Sequence, residues 1–235
     1  MAQHKLERFA AIKTFSNVFE YPENAKGSWK NYFQNTQPIV LELACGKGEY
    51  TIQLAKMHPS INTIGVDVKG NRIFIGAKTA ISQHLTNVAF IRSQIEMIPN
   101  YFNQDEVSDI WITFPDPQLR WSKLKKRLTH PRFLRLYQTI LAPGGTIHLK
   151  TDSPHLYAFT KAVIDLFQLE VVADCADVYN TPNQPKEVTD IVTHYQKLDI
   201  AQSNKIHYLR FKINKPLPVE LDAVLKSQQH EAECN

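Results

Sequence analysis

From Pro38 onward, apolar positions fall into short runs that alternate with stretches of helical spacing. Pro38 to Leu43 (PIVLEL) is apolar apart from Glu42 and predicts a buried strand. A glycine-rich turn, CGKGE, follows, and YTIQLAKM then begins a helix at once. Thr63 to Asp67 predicts a second strand, and Gly70 to Gln83 carries Ile73, Ala77, Ala80 and Ile81 at helical spacing. Val88 to Arg92 and Asp109 to Phe114 predict the third and fourth strands. Pro131 to Leu141 predicts a helix with Phe133, Leu134, Tyr137 and Leu141 on one face, opened by proline and closed at Pro143-Gly144-Gly145. Thr146 to Lys150 is the fifth strand, His155 to Phe167 a helix, Leu169 to Ala173 a short sixth strand and Ile206 to Ile213 the last. Strands alternating with helices at this spacing imply right-handed βαβ units and a mostly parallel sheet covered on both faces. The late seventh strand suits an antiparallel partner.

The remaining segments set the organisation around this unit. Residues 1–37 are polar and aromatic without a clear period and read as an amino-terminal arm on a main domain of residues 38–213. Asp177 to Val188 is a polar, proline-bearing insertion, so residues 177–190 read as a loop. Ile191 to Leu198 has room for one or two helical turns, and residues 214–235 form a polar tail to which no element is assigned. Three cysteines, none at metal-ligand spacing, argue against a disulfide framework or a zinc site. With no apolar leader near Met1 and no long apolar run, the expectation is a cytoplasmic protein with neither signal peptide nor membrane span.

Charge changes the picture locally. The chain carries a net charge of only +4, yet Arg120, Lys123, Lys125, Lys126, Arg127, Arg132 and Arg135 fall in a stretch with no acidic residue between Asp116 and Asp152. Such a run attracts polyanions, although charge runs are commonly just solvated faces. Asp116 sits between two prolines directly after the fourth strand, on a stiff turn at the end that faces ligands in open α/β sheets. Asp152 ends the fifth strand in the same way. Gly46 and Gly48 let the backbone turn tightly against a ligand, and Asp67, 19 residues beyond Gly48, is spaced to reach a ribose diol. Thr51 stands where the dinucleotide fingerprint needs glycine, which disfavours a nicotinamide enzyme. Glu42 instead completes E-x-[GA]-x-G-x-G, the first motif usual in S-adenosylmethionine-dependent methyltransferases, and a carboxylate there suits a cationic ligand. Trp121 among the cations permits base stacking, with packing on its own domain as the plainer reading. His148, mid-strand, reads as structural.

Taken together, these residues resemble the bacterial tRNA (guanine-N7)-methyltransferase family. The resemblance runs from Phe9 to about Lys212 and rests on ELACGKGEY, FPDP with its basic segment, RLTHPRFL, PGG, the Thr151-Asp152 pair and Thr193, Tyr195 and Lys197. It implies a Rossmann-like methyltransferase fold with a mostly parallel seven-stranded sheet, S-adenosylmethionine as methyl donor without a metal, and the guanine at position 46 of the tRNA variable loop as target. It further implies donor contacts at Glu42, Gly46, Gly48, Asp67, Gln94 and Asp116, with Asp116 also catalytic. Substrate contacts are implied at Arg120, Asp152, Thr193, His194, Tyr195 and Gln196, in a monomer or homodimer. Four positions depart from the family pattern. Ala44 replaces the first glycine, Gln94 an acid or Asn, Arg120 a lysine and Gln196 a glutamate. The alternatives are a non-catalytic RNA-binding protein on this fold and a methyltransferase for another RNA. An amino-group methyltransferase fits poorly, because Pro117 and Gln118 follow Asp116 where that class has Pro-Pro-aromatic.

Overall fold

The computed structural model describes residues 2–198, 200 and 202–234, with the side chains of residues 2–5 and 231–234 excepted; Met1 and Asn235, the ends of the arm and tail, lie outside. In chain order the elements are α1 (Ala2–Ile12), β1 (Val18–Glu20), α2 (Trp29–Phe33), β2 (Ile39–Leu43), α3 (Glu49–Met57), β3 (Asn62–Asp67), α4 (Gly70–Ser82), β4 (Val88–Arg92) and β5 (Val107–Thr113). Then come α5 (Pro131–Gln138), β6 (Leu141–Thr151), α6 (Pro154–Phe167), β7 (Glu170–Cys175), α7 (Lys186–Thr189), α8 (His194–Leu198), β8 (His207–Lys212) and α9 (Leu221–Cys234). Two 3-10 turns, Ile95–Asn100 and Trp121–Lys126, flank β5. Among the described residues no helix is long and apolar enough to cross a membrane.

The sheet has eight strands in the order β1-β4-β3-β2-β5-β6-β8-β7, not the seven expected. The extra strand comes from the amino-terminal segment, where Val18–Glu20 pairs parallel to β4. Three residues are too few to show a period, and what holds them is remote: Arg92 pairs with Glu20 and lies 4.7 Å from the Phe9 ring centre. The last strand is antiparallel as expected, and it inserts between β6 and β7. The expected helix to Leu141 stops at Gln138, and β6 starts at Leu141. Pro143-Gly144-Gly145 then falls where the register slips between Val107 and Asp109, the setting in which a strand accepts proline. The tail, assigned no element above, holds α9, which packs on α6 and is tied to α5 by Arg135 and Asp222 at 2.7 Å.

Side-chain alternation along the central strands covers both faces. Leu41, Leu43, Ile110 and Ile112 join one core with α2, α5, α6 and α9. Val40 and Trp111 point the other way, into a core with Tyr50 and Leu54 of α3 and Val188 of α7. Chain order reverses between β2 and β5, so the carboxyl ends of these two strands frame a crevice.

Candidate active site

A cleft of about 790 Å³ opens at those strand ends, within the usual range for a small-molecule site. Glu42 from β2, Asp67 from β3, Asp116 beyond β5 and Asp152 beyond β6 all line it. Thr193 and Tyr195 close it from the late segment around α8. The remaining implied residues lie around it. Gly46 and Gly48 form the turn under Tyr195, and Arg120 shares a shallow rim depression with Asp116 and Lys123. His194 and Gln196 flank Tyr195 without lining the cleft, and Gln94 is exposed at the start of the first 3-10 turn, outside it.

The glycine turn is held from three sides. Gly48 has φ 68°, and a Cβ there would fall 2.4 Å from the Phe90 ring, so only glycine fits. Asp67 accepts from the Gly46 N–H at 2.9 Å and from the Lys69 N–H at 2.7 Å, binding the turn to the end of β3. From above, the His194 N–H donates to Glu49 at 2.9 Å, and Arg72 lies 5.3 Å from the Tyr195 ring centre. Ala44, the departure from the family pattern, has φ 56°, the left-handed region where glycine is cheapest.

Glu42 is buried and fully engaged. Its Oε2 accepts from the N–H and Oγ1 of Thr51, and its Oε1 accepts from Thr113 Oγ1 at 2.6 Å, which joins β2 to β5 across the crevice. Burial, opposed by these hydrogen bonds, raises its pKa to about 7.

Asp116 is exposed on its turn, where Oδ1 accepts the Gln118 N–H at 3.0 Å. That turn begins with Phe114 at φ 45°, an uncommon backbone state for a bulky residue. The basic run divides. Arg120, Lys123, Lys125 and Lys126 are exposed on and beside the second 3-10 turn. Arg127 is buried: its Nε donates to the carbonyls of Pro117 at 3.2 Å and Gln118 at 3.4 Å, and its guanidinium lies 4.6 Å from the Phe159 ring centre. Arg135 holds α9, and Arg132 pairs with Glu96 at 3.3 Å. Trp121 is partly buried, edge-on to His230 at 5.2 Å. His148 lies buried between Thr146 and Tyr208 and stacks on Trp111.

Several cleft residues escaped the sequence reading. Lys47, Lys69 and Arg72 give it a second cationic rim. Lys69 and Arg72 follow Asp67 where β3 turns into α4, a position at the ligand-facing edge that the topology could have signalled.

The cleft fits a methyl donor built from a nucleoside and an amino acid. Asp67 keeps acceptor capacity beyond its two backbone bonds, since an ionised carboxylate offers about four lone-pair sites. At Gly46 an added Cβ would stand 3.6 Å from the Tyr195 ring, so turn and ring lie within a methyl's width of contact and together bound one end of the cleft.

An acid-lined cleft at the reversal point of a mostly parallel sheet, over a glycine turn, is the ligand site of a Rossmann-like fold, and the family match makes that fold a methyltransferase's. Residues 36–209 match the family model described as "Putative methyltransferase". The tRNA (guanine-N(7)-)-methyltransferase of Christiangramia forsetii is 45% identical over 90% of this chain and 99% of its own, and that of Porphyromonas gingivalis is 44% identical over 87% and 88%. The chain belongs to the tRNA (guanine-N(7)-)-methyltransferase family. A solved 16S rRNA methyltransferase, KamB, superposes with a TM-score of 0.58 at 16% identity, over 78% of this chain and 91% of that one, a likeness of fold.

Proposed function

We propose that this chain transfers the methyl group of S-adenosylmethionine to N7 of guanine at position 46 in the tRNA variable loop, giving 7-methylguanosine. The observation that carries this is the meeting of Asp67, Asp116 and Asp152 in one cleft beside the exposed cations Arg120, Lys123, Lys125 and Lys126. The names of the relatives at 45% and 44% identity support N7 of a tRNA guanine as the target.

Guanine N7 bears an exposed lone pair, so no proton has to be removed before attack. The protein's task is therefore alignment and support of the positive charge that grows on the base. S-adenosylmethionine supplies an electrophilic methyl on a sulfonium. Asp67 is suited to receive its ribose hydroxyls, and the cleft over the glycine turn to receive its body. Asp116 and Asp152 stand on neighbouring strand ends, suited to orient the guanine edge and offset its developing charge. The cations at Arg120, Lys123, Lys125 and Lys126 suit the phosphates flanking the target, giving affinity without sequence readout. No membrane partner is needed for this chemistry, and the setting proposed is the cytoplasm.

Incubation with labelled S-adenosylmethionine and bulk tRNA, followed by cleavage selective for 7-methylguanosine, should place label and cleavage at position 46. Label elsewhere in tRNA, or in ribosomal RNA alone, refutes the assignment.

A further inference from the structure

Lys150 is the penultimate residue of β6, two before Asp152, and it is completely buried. Its Nζ donates to the Ile191 carbonyl at 2.8 Å. The amine also lies 5.5 Å from the Tyr50 ring centre and 5.7 Å from that of Phe114. Its own carbonyl accepts the Phe114 N–H at 2.8 Å, at the residue whose left-handed backbone launches the Asp116 turn. One side chain thus touches three walls of the cleft: the turn bearing Asp116, the cleft-lining Tyr50 of α3, and the segment that reaches Thr193 two residues later.

Packing does not account for the amine. A methionine would fill the same space beside two aromatic rings, and burying an ammonium costs on the order of several kcal/mol that a thioether avoids. Burial alone draws the Lys150 pKa down to about 7. What methionine cannot supply is the hydrogen bond to Ile191, which fixes the late segment against the strand ends.

We propose that Lys150 is a positioning residue for methyl transfer: by holding the Ile191 carbonyl with an amine braced against Tyr50 and Phe114, it sets the Thr193–Tyr195 wall at its working distance from Asp116 without touching either substrate. This rests on the function proposed above. In that arrangement the amine governs alignment in the ternary complex, whereas RNA affinity resides on the exposed rim.

The test compares wild type with Lys150→Met in kcat, in KM for tRNA, in S-adenosylmethionine binding by calorimetry and in thermal melting. Expected are cooperative melting, a kcat lowered at least about tenfold, as a displacement near 1 Å produces, a KM for tRNA changed by a smaller factor than kcat, and donor binding weakened because Thr193 and Tyr195 line the cleft. If Lys150→Met does not melt cooperatively, Lys150→Gln, whose shorter stem holds its N–H donor short of the Ile191 carbonyl, is assayed in its place with the same loss of kcat expected. An unchanged kcat, a loss confined to the KM for tRNA, or failure of both variants to fold overturns the proposal. Wild-type enzyme yielding no 7-methylguanosine overturns the function itself, and the positioning role with it.

Discussion

Arg127 is where two readings of the basic segment part most sharply. As a member of a cationic run it would bind phosphate. As found, it is 4% exposed and fastens the Asp116 turn to α6 through the Pro117 and Gln118 carbonyls and the Phe159 ring. Arg127→Lys keeps the charge but loses the Nε–H shared between both carbonyls and the planar group that lies against a ring. The one Nε–H, shared between two carbonyls, contributes about 1.5–3 kcal/mol as a charged donor, and a desolvated cation over an aromatic face about 2 kcal/mol. A lysine recovers part of this, so the expected loss is about 2–4 kcal/mol. In a chain of this size that lowers Tm by about 5–15 °C. Thermal melting and urea unfolding measure the loss, and tRNA affinity is followed from low to high salt. The structural role predicts a lower Tm, impaired turnover, and a slope of log affinity against log salt equal to wild type. An Arg127→Lys enzyme that melts with the wild type while its salt slope falls by about one would return Arg127 to phosphate binding.

The exposed cations carry the opposite expectation: replacing Lys123, Lys125 and Lys126 together by alanine should weaken tRNA binding and cut the salt slope by up to about three while donor binding stays intact, and an unchanged slope would remove them from the interface. Glu42 is raised from 4.5 to about 7 in the folded chain, so its contribution to stability is full below about pH 4.5 and lost as pH rises through about 7. Glu42→Gln can accept from Thr51 and donate to Thr113, so in urea unfolding it should gain on wild type by a few kcal/mol, of order, between pH 5 and pH 8. Parallel pH dependence in the two proteins would refute a neutral carboxyl at this site. Ala44→Gly relieves a left-handed residue worth about 1–2 kcal/mol against about 0.5–1 kcal/mol of added chain entropy, so urea midpoints should rise slightly, and a fall would show the alanine methyl to be needed for packing.

The legible features were those encoded over a few adjacent residues. Val88–Arg92 occupies the expected limits because a run of apolar residues is a local signal. Asp67, Asp116 and Asp152 lie together because each ends or follows a recognisable strand, and parallel topology carries all such ends to one edge. Where signals conflicted, the boundary moved: Pro143-Gly144-Gly145 reads as punctuation, yet pairing with β5 runs through it as a bulge. Gln94 follows β4 at the correct spacing, but the first 3-10 turn begins there and leaves its side chain exposed outside the cleft.

Alternation of strand and helix, the glycine turn and the spacing of the carboxylates were thus in the chain as written, because period, turn chemistry and strand ends depend on neighbours a few residues apart. Burial and pairing decided the rest, and these join residues far apart in sequence. Asp222 turns Arg135 from a candidate RNA contact into an anchor for α9, 87 positions away. Thr113, 71 positions from Glu42, helps hold a buried carboxyl at the cleft wall, a partner that the motif alone does not show. The late segment reaches back 145 positions to cap the glycine turn through Glu49, with Lys150 beneath it. Seven cations of one run look alike in sequence; packing leaves four of them exposed on or beside the turn after Asp116.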